Sequence, residues 1–248
     1  MKKAIDFFTA HPARFFLLAA LLWGGFMCFL NFLDYKKGNF SWHDLLVEAN
    51  GMVFDLLVFG ILLSIYEKLR EKRDKIERLH EEIDDYRFWN EKEAMFRIVG
   101  AVRRLNKLGV SEINLSHCFL EGANLEGVDL KGANLKGTNL QRAYLQEAKF
   151  GEANLDAAHF HGSKLERANF QDANLVATKL QGANLQGANL QGVKFFLTNL
   201  GKTNLKNAIV DKDWFKKLEE RKVWGKEEII AKYLVQEDGR LREKRIRQ

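Results

Sequence analysis

The chain has 248 residues but only one proline, Pro12, and two cysteines, Cys28 and Cys118. One proline excludes proline-rich linkers, and two cysteines exclude a disulfide scaffold or a cysteine zinc site. Acidic excess is also absent: Lys+Arg 39 against Asp+Glu 33 leaves a net charge of +6. The 29% charged fraction is too high for a chain embedded in a membrane over most of its length, and 46% hydrophobic residues are too many for a disordered chain. There is no Gly-rich phosphate loop, no nucleophile placed with a base, and no metal-ligand spacing. No catalytic, cofactor-binding or metal residue is therefore expected. His159 and His161 stand close in sequence without further ligands and read as surface histidines.

Long uncharged runs are scarce, with one exception. Phe15 to Leu33 is nineteen residues without a charge, reaching close to 30 Å as a helix, enough to cross a hydrocarbon core. No A-x-A-like cleavage site follows it. Ser41-Trp42-His43-Asp44 reads as a capping box opening a second span over residues 45–66, with Glu48, Asn50 and Asp55 as intramembrane polar residues. Two spans make a hairpin. Lys2, Lys3 and Arg14 precede it and Lys68, Arg70, Lys72, Arg73 and Lys75 follow it, which puts both termini in the cytoplasm of a multi-pass cell-membrane protein.

The pattern then runs on without a breaker. Leu62, Ile65, Leu69, Lys72, Ile76, Leu79, Ile83 and Tyr86 repeat at 3-4 spacing, an a/d seam of a coiled coil. So narrow a stripe calls for a partner helix, and a second copy of the chain is the expected one; the competing reading is that the stripe packs on the chain's own later helices. A further helix is expected over Glu93–Leu108, with Phe96, Ile98, Val102 and Leu105 as its apolar residues and Gly109 as its C-terminal cap, forming a lid on the segment beyond Gly109.

From Leu115 to Leu205 all nineteen positions at intervals of five are Leu or Phe, with Phe at 150, 160, 170 and 195. A small residue stands two places before most of them. A period of five fits neither a helix nor plain strand alternation, so the chain must turn once per unit and stack as a solenoid. Cys118 occupies a small inward position and reads as core.

The runs ANLEGVDLKGANLKGTNL (Ala123–Leu140) and KLQGANLQGANLQG (Lys179–Gly192) resemble the A(D/N)LXX units of pentapeptide-repeat proteins. The resemblance implies a right-handed quadrilateral β-helix with four units per coil. That is five coils here and a rod about 24 Å long at roughly 4.8 Å per coil. Residues twenty apart then become neighbours. Phe150 falls against Phe170, Asn114, Asn134, Asn154 and Asn174 form a ladder, and Glu147 meets Arg167. Ala157, Val176, Ala177, Phe196 and Leu197 form one outward apolar patch, a candidate contact surface. The C-terminal helix carrying Trp214, Phe215 and Leu218 is expected to fold back over it. Two short helices, Asp213–Lys222 and Gly225–Leu234, should cap the last coil, with Asp238-Gly239 as a turn and a basic tail of Arg240, Arg242, Lys244, Arg245 and Arg247 beyond.

The expected organisation is thus a mainly β solenoid with helical additions. A transmembrane hairpin covers 1–66, coiled-coil and capping helices 67–110, the β-helix 111–210, and a helical cap with basic tail 211–248. The expected role is a non-enzymatic, membrane-anchored, homo-oligomeric scaffold. Its expected partners are membrane lipid, itself and a cytoplasmic protein. An oligomeric channel or effector built around Asp55 is the alternative. Some pentapeptide-repeat proteins mimic DNA and inhibit topoisomerases, but such rods are strongly acidic. This one has 10 basic and 8 acidic residues over 113–210, and no nucleic-acid partner is expected either.

Overall fold

A computed structural model describes Gly25, Phe32 and residues 41–244; for residues 42–50, 52–54 and 56–57 only the backbone is described. The chain divides into two compact units, Met1–Asp74 and Lys75–Gln248. The expected span over 15–33 lies outside the described residues apart from Gly25 and Phe32, and so do the side chains of Glu48 and Asn50.

In the first unit the expected second span belongs to helix α1, Trp42–Tyr86, which begins at the residue after Ser41. Among the described residues, no helix is long and apolar enough to cross a membrane. Asp55 is exposed on this helix. The first part of the expected seam has no cover: Leu62, Ile65 and Leu69 are 59%, 51% and 62% exposed.

The second part of that seam behaves differently. Within the second unit, Ile83 is fully buried, Leu79 nearly so, and Ile76 and Tyr86 are half-buried against the same core. Their partner is helix α2, Lys92–Lys107, which buries Ala94, Ile98, Ala101, Val102 and Leu105. The heptad spacing here serves an intramolecular helical hairpin. Of the apolar residues of this helix Phe96 is 67% exposed, because the buried stripe of α2 runs through Ile98, Val102 and Leu105 on another face. The helix ends as expected, with Gly109 at φ +83 and Val110 N–H donating to the Leu105 carbonyl at 3.0 Å.

The two helices close the open edge of the first coil with side chains. The Asn106 amide donates to the Asp129 carbonyl at 2.7 Å and accepts from the Asp129 N–H at 2.8 Å, standing in for a strand. Arg87, nearly buried, donates to the Ser116 carbonyl at 2.9 Å and pairs with Asp84; Arg103 donates to the Asn124 carbonyl at 3.0 Å. Each contact satisfies a carbonyl that no earlier coil can reach.

The solenoid arises from the fivefold pattern. All nineteen central Leu and Phe side chains are buried, and so are the small residues that precede them by two. The second residue after each centre takes a left-handed backbone, φ +52 to +70. Glycine has no Cβ penalty in that region, and this explains its frequency there. Parallel bridges join residues twenty apart from Asn114↔Asn134 to Asn189↔Ile209, so four units make one coil. At 20 residues per coil every central position stacks on a central position. Phe150 and Phe170 stack at 4.9 Å between centroids, and Phe160 meets both edge-on. Where threonine replaces alanine inward, its hydroxyl reaches a carbonyl 23 residues back, as in Thr138 to Leu115 at 2.7 Å.

Past Val210 the cap is built from α3 (Trp214–Glu220), α4 (Lys226–Lys232) and short strands. Beyond β1 (Thr198–Asn199), strand β2 (Val223–Trp224) adds to the last coil in parallel. Strands β3 (Tyr233–Val235) and β4 (Leu241–Glu243) form an antiparallel hairpin around Gly239. Leu241 exchanges backbone hydrogen bonds with Asn207 and Ala208 at 2.8 Å, which ends the open ladder. The two expected helices form over shorter spans, with β2 between them, and Tyr233 and Leu234 of the second lie in β3 instead. Arg240 and Arg242, expected in a solvated tail, lie in this hairpin; residues 245–248 are outside the described residues.

Candidate interaction surface

Trp214 and Leu218 are fully buried, and the indole meets Phe195 edge-on at 6.1 Å. They plug the end of the core. The expectation that this helix would cover the lateral apolar patch is therefore wrong. Both side chains needed burial, and the open end of the core buries them completely. The patch remains open, with Phe196 46% exposed.

The β-helix places the predicted patch residues together. Ala157 N–H donates to the Val176 carbonyl at 2.9 Å, and Ala177 N–H to the Phe196 carbonyl at 2.7 Å, so these residues climb one corner of the rod on successive coils. Ala157, Ala177 and Leu197 hold the left-handed turn position at φ +56, +54 and +52. There the backbone projects the side chain outward. Sequence reasoning missed Trp224. Register places it on Asn199, and its indole is 55% exposed. With Ala177, Lys179, Leu197 and Asn199 it lines a recess of about 450 Å³. No repeat signal marks Trp224, because it enters the ladder from the cap.

Other predicted pairs form. Asn134, Asn154 and Asn174 amides each donate to the preceding Asn of the ladder at 3.2, 3.4 and 3.2 Å. Glu147 meets Arg167 at 3.1 Å, in solvent, where such a pair contributes little. Cys118 is buried, and burial pushes its thiol up to about 12 against a smaller opposing effect of Arg87. His159 and His161 meet edge-on at 6.3 Å. Burial first, then the charge of Lys179, holds His159 below its ordinary value. Among the described residues no group of three or more His, Cys, Asp or Glu could hold a metal. The arrangement offers contact surface.

Residues 111–146, 138–175 and 173–210 match the family model for Pentapeptide repeats. No curated protein matches the chain. Among solved structures it is similar to the pentapeptide repeat protein Rfr23 from the cyanobacterium Cyanothece 51142, at 38% identity and a TM-score of 0.33, covering 40% of this chain and 63% of that one. It is also similar to HetL, a pentapeptide repeat protein involved in heterocyst differentiation regulation in Nostoc sp. strain PCC 7120, at 27% identity and a TM-score of 0.33, covering 41% and 54%. The chain thus spans less than two thirds of either protein. The coil register gives a β-helix with four units per coil over the same residues, 111–210, that match the family model.

Proposed function

We propose that this protein is a non-enzymatic scaffold that presents its β-helix to a cytoplasmic protein partner, held at the membrane by the N-terminal segment and assembled as a homo-oligomer. The observation that carries the docking role is the uncovered apolar cluster of Val176, Phe196 and Leu197 on one corner of the rod. A backbone tied coil to coil loses little freedom on binding, which favours docking. Membrane anchorage is supported by the uncharged run 15–33 and the flanking cations. Self-association is supported by the exposed Leu62, Ile65 and Leu69 at seam spacing.

The test places a photo-crosslinking amino acid at Phe196 of the full chain in cells, and at Gln171 on another face as control. A protein adduct specific to position 196 is expected; equal adducts at both sites would remove the patch from the account. Replacing Leu62, Ile65 and Leu69 with Asp should lower the mass seen by light scattering in detergent, while Ile83 is unsuitable because it is core. An unchanged mass would refute self-association through this seam.

A further inference from the structure

The charge around the patch is not that of the rest of the rod. From Glu121 to Asp172 acids and bases are interspersed, and five of the six bases, all but Lys164, pair with an acid on a neighbouring coil. Lys131 meets Glu152 at 3.0 Å, Lys136 meets Asp156 at 3.2 Å and Arg142 meets Glu121 at 3.0 Å. Beyond Asp172 this stops. Residues 173–210 contain four lysines, 179, 194, 202 and 206, and no acidic residue. The apolar patch occupies the same last coils.

Three lysines rim it, beside Arg221, whose guanidinium donates to the Phe195 carbonyl at 3.1 Å. Lys179 lines the recess directly. Lys194 lies two residues before Phe196 on the same outward edge, bridged to Asn174. Lys222 precedes Val223, whose pairing with Thr198 sets Lys222 over Leu197. Among the described residues none of the three is in an ion pair. The face therefore combines an apolar centre with a rim of unneutralised charge of one sign. An approaching group gains from both only if it carries an apolar anchor flanked by carboxylates.

We infer that the occupant of this face is an acidic protein segment with a large apolar side chain that enters the recess walled by Leu197 and Trp224, its carboxylates meeting Lys179, Lys194 and Lys222. This rests on the docking reading above. The recess favours a peptide over a bilayer, since a single side chain fits it while a bilayer surface would leave it unfilled. The rim cations act over about 8 Å at physiological salt, so they should govern association rate and salt dependence as much as affinity.

The experiment selects binders to the full chain, purified in mild detergent, from a displayed library of random peptides about 16 residues long. Counter-selection uses the Phe196→Ser/Leu197→Ser/Trp224→Ser variant, whose unchanged circular dichroism checks that these exposed sites leave the fold intact. The expected winners are rich in Asp and Glu around one aromatic or aliphatic anchor. They should lose at least about tenfold in Kd on the Lys179→Glu/Lys194→Glu/Lys222→Glu variant and weaken as salt rises. Neutral or basic winners, or winners indifferent to the charge reversal, would overturn the acidic partner while leaving apolar docking in place. Failure of any peptide to discriminate the wild-type chain from the Ser variant would overturn docking itself. Sedimentation with phosphatidylglycerol vesicles, or binding to a deoxythymidine oligomer, that is lost on the Ser variant would reassign the face to a membrane or a nucleic acid.

Discussion

Phe170→Ala tests the stacked core most directly. The ring is fully buried, stacked on Phe150 at 4.9 Å and flanked edge-on by Phe160 at 6.2 Å. Removing it leaves a cavity in walls that cannot close. The backbone at this site is tied in both directions, Phe170 N–H to the Asn189 carbonyl at 2.8 Å and Asn169 N–H to the Ala148 carbonyl at 2.9 Å. Buried Phe→Ala changes cost about 3–5 kcal/mol, and a site held this way should lie toward the upper end. Phe170→Leu should cost about 1.5 kcal/mol or less, because leucine is the residue that fills most of the other central positions. For a unit the size of residues 75–248, each 1 kcal/mol moves Tm by about 2–4 °C, so the alanine variant should melt about 10 °C or more lower and the leucine variant should recover most of that. A cycle of Phe150→Leu with Phe170→Leu should show a coupling of about 0.5–1.5 kcal/mol for the stacked rings. Thermal melts followed by circular dichroism read both quantities. Equal losses for alanine and leucine, or an alanine loss under about 2 °C, would refute the rigid-column argument.

Arg87→Met removes the donor to the Ser116 carbonyl at the capped first edge and should cost about 1–3 kcal/mol by denaturant unfolding; a neutral result would mean water replaces it. Ala157→Gly, at φ +56, should be neutral to stabilising by up to about 1 kcal/mol, since relief of the left-handed strain outweighs or matches the added freedom of the unfolded chain. Conversely Gly137→Ala, whose Cβ would meet the His117 ring at 2.8 Å, should destabilise, and thermal melts of the two variants should move apart. In a Cys28→Ser background, Cys118 should resist iodoacetamide at pH 8 and react only as the chain unfolds, because its thiol titrates near 12; prompt labelling of the folded protein would place it outside the core.

Linear periodicity determined the solenoid. One Leu or Phe in every five residues, without an insertion, permits only a chain that turns once per unit, and even Phe150 against Phe170 and the asparagine ladder were legible once a coil was taken as four units. The same spacing could not say what partners a helical stripe, because Ile83 facing α2 and Leu69 facing solvent occupy equivalent positions of one pattern. Nor could it say where the aromatics of the cap go. Trp214 plugs the core end while Trp224 joins the patch, and the difference lies in which edge of the last coil β2 reaches for its hydrogen bonds. Short-range pattern determines which residues are inward within a unit; contacts between distant segments depend on which open edges and apolar ends remain to be covered, and only the folded chain decides that.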